Sequence, residues 1–331
     1  MKEEILSIFI SAALVFIVTV LLSRFIIPIL KSHKVGQKIL DIGPRWHKSK
    51  EGTPTMGGIC FILSILLVMT GVFAYFAVKG RAKELIPLAL TLGLATINGM
   101  VGFVDDYTKL VKKQNEGLLA YQKFLLQVVV AGIYIVILNK TGYIDTTLHI
   151  PYLNIEWEMG IWYYVFALVM ITGIVNSVNL TDGIDGLASS VSLVVGAFLC
   201  IVSFAFGNLS LGFASACLIG ATLGFLVYNF YPARVFMGDT GSLFLGGMIV
   251  GSAFVMNEPL LVLVFGFMFV LETISVMLQV GFYKLTHKRL FKMAPIHHHF
   301  EKSGWSEVKI VCIFSLLTVI FCIVAWFGIK V

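Results

Sequence analysis

Two aspartates stand side by side at Asp105-Asp106, and Lys109 follows four residues after the first and three after the second. If a helix runs through them, the three share a face. Adjacent carboxylates repel, and a divalent cation or an ammonium group relieves the repulsion. The plain alternative is a solvated helix end with an ordinary ion pair. A second group, Asn176, Asn179, Asp182 and Asp185, recurs at every third position and is loosened by Gly183 and Gly186. Amides and carboxylates along one strip suit hydrogen bonding to a base or ribose, or completion of a metal shell, and helix-end capping competes with both. The third stretch is Phe236-Met-Gly238-Asp239-Thr-Gly-Ser242. Glycines around an acid let the backbone approach a ligand, and a helix N-terminus offers free N–H groups to phosphate oxygens. Asp239 would repel phosphate unless a cation lay between them, a task that suits magnesium, which takes one or two carboxylates plus phosphate oxygens. A plain N-cap explains the same residues. The fourth stretch holds His297, His298 and His299, followed by Phe300 and Glu301. Consecutive histidines do not converge on one metal, and the spacing is not that of a zinc site. A positioned hydrogen-bond donor to phosphate fits better, against the reading of ordinary surface histidines.

The elements that must carry these residues follow from composition. Hydrophobic residues make up 58% of 331 and charged residues only 13%, well under the roughly 25% charge of an ordinary soluble domain. A helix needs about 20 mostly apolar residues to cross the hydrocarbon core. Ten such runs are present: Ile5–Leu30, Met56–Val78, Leu85–Val104, Leu118–Leu138, Gly160–Val178, Leu187–Phe206, Leu211–Phe230, Leu243–Met256, Leu260–Tyr283 and Ile310–Ile329. They are continuously apolar and do not alternate, which argues for helices over a β-barrel. The expected fold is an all-α polytopic bundle forming one membrane domain over residues 1–331. The first run is too long for a signal peptide and begins with Glu3 and Glu4, so it reads as a retained span. All five cysteines fall inside apolar runs and read as buried hydrophobes. The connection Asn139–Met159 has the makings of a small hairpin.

With ten spans the connections alternate sides, and the basic residues divide unevenly. One side receives eighteen lysines and arginines, among them Lys31, Lys34, Lys38, Arg45, Lys48, Lys50, Lys109, Lys112, Lys113, Lys123, Arg234 and the group from Lys284 to Lys309. The other receives six: Lys2, Lys79, Arg81, Lys83, Lys140 and Lys330. By the positive-inside rule the rich side is cytoplasmic and both termini are extracytoplasmic. The net charge of +6 is then a signature of membrane topology and gives little support to a nucleic-acid partner. All the aspartates named above and the three histidines fall on the cytoplasmic side, in five loops.

There is no G-x-x-x-x-G-K-[ST] motif and no strand-borne G-x-G-x-x-G, which removes a P-loop motor and a dinucleotide fold. Glu272 and Gln279 lie within the ninth run; such a Glu272 marks either a pathway or a bundle-satisfied acid.

Taken together, the polar stretches resemble the phospho-N-acetylmuramoyl-pentapeptide transferases (translocase I) of bacterial peptidoglycan synthesis. The likeness runs from Thr53-Pro-Thr-Met-Gly-Gly58 through Asp105-Asp106, Asn176 to Asp185, Tyr228-Asn229 and Phe236 to Ser242, ending at Pro295 to Glu301. The aspartate motifs are shared with the wider superfamily of polyprenyl-phosphate sugar-1-phosphate transferases. Thr53 to Gly58 and the histidines followed by Phe300-Glu301 point to the muramoyl-pentapeptide branch. The resemblance implies transfer of phospho-MurNAc-pentapeptide from UDP-MurNAc-pentapeptide to undecaprenyl phosphate, giving lipid I and UMP with Mg2+ as cofactor. It also implies a bacterial cytoplasmic-membrane location, a homodimer, and inhibition by uridine-type nucleoside antibiotics. It makes Asp239 the principal metal ligand, Asp105 a base toward the lipid phosphate, and Asp106 an assistant at phosphate or metal. Lys109 and Lys123 would neutralise phosphate oxygens. Asn179, Asp182 and Asp185 would line a uridine pocket with Phe236 stacked on the base, and Asn176, Asn229 and Gly238 complete the substrate-binding set. His298, flanked by His297 and His299, would bind phosphate, and Gln279 would stand near the mouth of a lipid groove along the ninth span. A GlcNAc-1-phosphate transferase of the same superfamily is the nearest rival. A transporter is the rival from another class, and it predicts mid-membrane acids and internal repeats, which the sequence lacks apart from Glu272.

Overall fold

The computed structural model describes residues 2–32, 50, 52–112 and 117–330 of the chain. Lys34, Lys38, Arg45, Lys48 and Lys113 of the basic side lie outside the described residues. Ten helices are long and apolar enough to cross a membrane, and the chain is a polytopic all-α membrane protein. In chain order the helices are α1 (Lys2–Ser32), α2 (Gly58–Val78), α3 (Ile86–Lys112), α4 (Ala120–Lys140), α5 (Ile161–Thr181), α6 (Leu187–Phe206), α7 (Leu209–Asn229), α8 (Gly238–Val255), α9 (Val262–Phe265), α10 (Phe267–Thr286), α11 (Ile296–Glu301) and α12 (Glu307–Trp326). The spans are α1 to α8, α10 and α12.

Burial sorts them by position in the bundle. Helices α7 and α8 bury most of their length inside the protein, whereas α1, α4 and α10 bury little. Large apolar side chains on the outer helices, such as Phe25, Leu125 and Met277, stand exposed, as a surface solvated by lipid tails requires. The most extensive contact joins α3 to α8, with α1 on α7 next. Small residues permit the first: a Cβ on Gly102 would come within 2.2 Å of the Asp239 carbonyl oxygen. Backbones approach this closely only where a side chain is missing.

Two expected boundaries shift. The ninth run is not one helix from Leu260: Gly266 interrupts it after α9, and the span proper starts at Phe267. The eighth begins earlier than its apolar run, because Gly238 to Ser242 form its first turn. The connection after α4 contains the expected hairpin, with β1 (Thr147–Ile150) antiparallel to β2 (Ile155–Glu158) and Leu148 opposite Trp157.

Ion pairs identify the two ends of the bundle. At one end Arg81 binds Glu4, Lys79 binds Glu3, and Lys330 pairs with Glu156; the Tyr143 hydroxyl donates to the Lys83 carbonyl oxygen. The described residues near both termini therefore share an end with the lysine-poor loops. The aspartates gather at the other end. Because the Gly102 contact sets the α3–α8 spacing, Gly102→Ala is expected to cost about 1–3 kcal/mol through overpacking. Thermal unfolding in detergent should show a lowered Tm, and a Tm equal to that of the unsubstituted protein would mean the helices have slack there.

Candidate active site

Asp105 and Asp106 stand on the last turns of α3, both almost fully buried, and Asp239 stands on the first turn of α8. Each offers a carboxylate oxygen, and these three atoms lie within 4.8 Å of one another. Like charges at that separation need compensation, and two lysines provide it. Lys109 Nζ lies 2.6 Å from Asp105 Oδ2, 3.0 Å from Asp239 Oδ2 and 4.0 Å from Asp106 Oδ1. From the start of α4, Lys123 Nζ reaches Asp239 Oδ2 at 2.9 Å. Three carboxylates and two ammonium groups leave one net negative charge. The donor set is oxygen-rich and acidic, which fits a hard divalent cation.

The N-terminus of α8 is occupied in a way the sequence does not suggest. Instead of lying open, the amides of Asp239 and Thr240 donate to Asp106 at 3.3 and 3.0 Å, and the Thr240 hydroxyl adds a bond of 2.7 Å. Asp106 therefore caps α8 from a neighbouring helix, where the helix dipole favours a negative charge. Gly238, at φ +70°, makes the turn that admits it; a Cβ there would meet Asp106 Oδ2 at 2.5 Å. Asp105 Oδ1 accepts the Leu118 amide at 2.8 Å, so both its oxygens are engaged.

The polar strip beginning at Asn176 divides, because α5 ends at Thr181 and the chain turns. Asn176 donates to Gln127 Oε1 on α4 at 2.7 Å. One turn later Asn179 donates to Asp239 Oδ1 and to the Ser242 hydroxyl, both at 2.8 Å. Asp182 faces a cavity of about 140 Å3 whose wall also includes Asp106, Asn179, Phe236, Gly238 and Asp239. Its carboxylate takes no hydrogen bond from any described residue. Burial, followed by the charges of Asp239, Asp106 and Asp185, pushes its pKa well above the usual carboxylate range. Asp185, on the same wall, binds Lys50 at 2.7 Å and accepts the Ala233 amide at 2.8 Å.

Other candidates stand off this wall. Asn229 accepts from Ser189 and donates to the Val235 carbonyl oxygen, both at 3.0 Å, and so fixes the approach to Phe236. His297 is fully buried, its Nδ1 3.1 Å from Glu272 Oε1, and its ring lies under Gly183, where a Cβ would come within 2.1 Å of Nε2. His298 Nδ1 lies 2.5 Å from Glu301, and His299 Nδ1 accepts the Lys292 amide at 3.1 Å. Gln279 accepts the amides of Leu290 and Phe291 and lines a separate, largely apolar cavity of about 610 Å3 beside α10. The wall also carries Lys50, Thr55, Gly183 and Ile184, none of them among the residues expected to bind substrate. Thr55 lies in the Thr53–Gly58 stretch, and that stretch is bonded to the Phe236 strand of chain: Phe236 N–H donates to the Pro54 carbonyl oxygen, and Gly57 N–H to that of Phe236, both at 2.8 Å.

Carboxylates, lysines and an amide thus converge beside a cavity at one end of a membrane bundle. Residues 88–257 match the family described as Glycosyl transferase family 4. More narrowly, residues 50–62 match the phospho-N-acetylmuramoyl-pentapeptide-transferase signature 1. The phospho-N-acetylmuramoyl-pentapeptide-transferase of Clostridium kluyveri is 46% identical over 96% of this chain and 97% of its own length. That of Staphylococcus carnosus is 43% identical over 98% of this chain and 100% of its own. The chain belongs to the phospho-N-acetylmuramoyl-pentapeptide-transferase family, and it is a multi-pass membrane phosphotransferase.

The raised pKa of Asp182 carries a sign for stability. The folded protein keeps a proton that the unfolded chain releases at about pH 4, so stability falls as pH rises from there through the raised folded value. Asp182→Asn lacks this loss. In EDTA-containing buffer, the Tm of the variant minus that of the unsubstituted protein should grow over that window and then level off. A difference that shrinks or stays flat with pH contradicts the assignment.

Proposed function

We propose that this chain transfers phospho-MurNAc-pentapeptide from UDP-MurNAc-pentapeptide to undecaprenyl phosphate, forming lipid I and releasing UMP, at the cytoplasmic face of the bacterial membrane. The observation that carries the reading is the convergence of Asp105, Asp106 and Asp239 with Lys109 and Lys123 beside a polar cavity, in a chain of this family. The orientation is supported by the eighteen-to-six division of lysines and arginines.

In the reaction an oxygen of the lipid phosphate attacks the phosphorus nearer the sugar. A new P–O bond forms to it, the P–O bond to the UMP phosphate breaks, and UMP leaves with the electron pair. Several negative charges meet, so catalysis is chiefly neutralisation and positioning. Asp239, with Asp105 and Asp106 beside it, would hold Mg2+, which when bound supplies positive charge between the phosphates. Lys109 and Lys123, now on Asp239, stand where they would turn to phosphate oxygens. Phe236, Asn179 and Asp182 would receive the uridine. The Gln279 cavity and the groove along α10 would take the polyprenyl chain, and the histidine helix α11 lies between the two regions.

Asp105 acts here through charge and position, since Lys109 and the Leu118 amide already hold its oxygens. A phosphomonoester has its second pKa at about 6, so little base assistance is needed at neutral pH. The defect of Asp105→Asn should then be similar at about pH 7 and pH 9; recovery at the higher pH would make it a base instead. Asp239→Asn is expected to lower UMP release at least about a hundredfold with a near-normal Tm. The assay uses purified protein, Mg2+, undecaprenyl phosphate and UDP-MurNAc-pentapeptide, with UDP-GlcNAc alongside, which should release no UMP. Turnover by the Asn variant would take Asp239 out of the metal site, and turnover of UDP-GlcNAc alone would replace the substrate.

A further inference from the structure

Three segments far apart in sequence meet in one charged cluster at the edge of the cavity. Lys50 Nζ lies 2.7 Å from Asp185 Oδ1 and 2.6 Å from the Glu307 carboxylate. The backbone amide of Asp185 donates to Glu307 Oε2 at 2.9 Å, and the Ala233 amide holds the other Asp185 oxygen. The side chains of Lys50, Asp185 and Glu307 are only 15, 2 and 10% exposed. Pairing at this depth, unlike an exposed ion pair, fixes geometry strongly, because a partner left alone is a buried charge without compensation.

Lys50 and Asp185 lie on the cavity wall, while Glu307 stands behind them on the first turn of α12. We propose that Glu307 is a positioning residue for the nucleotide-bearing substrate: it holds Lys50 and the 182–185 turn where that substrate meets them. The proposal rests on the transferase reading above and adds a role for the last span. Among the described residues Lys50 is the sole lysine or arginine on this wall, which otherwise presents Asp106, Asp182, Asp185 and Asp239. An anionic nucleotide needs that ammonium group kept from the other three carboxylates, Asp106, Asp182 and Asp239. Paired with Asp185 and Glu307, Lys50 forms no ion pair with Asp182 or Asp239. Glu307 also accepts the one turn amide that ties Asp185 to α12. Removing Glu307 takes from Lys50 one of its two carboxylates and from the turn its tie to α12, in one change. The reacting acids on α3 and α8 keep all their partners, as does the Gln279 cavity.

The effect should therefore fall on nucleotide affinity. In the full-length protein, Glu307→Ala is expected to raise KM for UDP-MurNAc-pentapeptide about tenfold, the value of one charge-assisted contact. Turnover and KM for undecaprenyl phosphate should stay within about twofold. Glu307→Gln keeps an acceptor for the Asp185 amide without the charge and should fall between. Lys50→Met combined with Glu307→Ala should be no worse for nucleotide KM than the poorer single variant, because one acts through the other. An unchanged nucleotide KM in Glu307→Ala overturns the proposal. So does a variant whose Tm and kcat fall together while both KM values hold, the behaviour of a purely structural helix-start acid. Unsubstituted protein that releases no UMP refutes the transfer reading instead. The Glu307 assignment is then judged by calorimetric binding of UMP, which should weaken about tenfold in Glu307→Ala, and unchanged binding overturns it.

Discussion

Three carboxylates forced together at the end of a helical bundle are the constraint around which this protein is arranged. Left uncompensated, Asp105, Asp106 and Asp239 would each carry a desolvation penalty of several kcal/mol. Each neighbouring element supplies part of the compensation. Lys109 comes from the same helix as the first two acids, Lys123 from α4, the Asn179 amide from α5, and the α8 N-terminus gives its own amides to Asp106. The bare backbone at Gly102 brings α3 and α8 close enough for this to happen. The net charge that remains is negative, so the site is acidic and oxygen-lined, a donor set that suits a cation. It is not by itself a receptor for phosphate.

Further contacts join that cluster to its surroundings. The Thr53–Gly58 stretch, bonded to the backbone around Phe236, forms one wall of the cavity, and the 182–185 turn forms another. From below, the buried Glu272–His297 pair props Gly183, and from the side Glu307 holds Asp185 and Lys50. Helices α10, α11 and α12, which supply none of the three clustered acids, touch the site through these contacts. The polar machinery is confined to one end, while the outer helices present apolar side chains along their length. A soluble charged substrate and a lipid-borne one can therefore meet at the boundary between their two solvents.

Much of this was legible in the residues. All ten spans coincide with continuous apolar runs, but two boundaries differ: the eighth helix starts earlier, at Gly238, and Gly266 breaks the ninth, a run that hydropathy reads as unbroken. The pairing of Lys109 with Asp105 and Asp106 follows from helical spacing. The three-residue repeat from Asn176 is also real, yet it does not form one strip, since α5 stops at Thr181. Asn176 turns to α4, Asn179 to the acids, Asp182 to the cavity and Asp185 to Lys50. Lys50 and Glu307 carry no local pattern that separates them from other charged residues beside a span.

Composition and the spacing of apolar and charged residues are local, and they were enough to establish a helical membrane protein whose acids crowd one side. The partners of those acids were settled by how the helices rotate and how closely they approach, from Asp106 on the start of α8 to Glu307 on a turn more than a hundred residues away. Such pairings depend on long-range closure of the chain, which leaves no periodic trace in the order of residues.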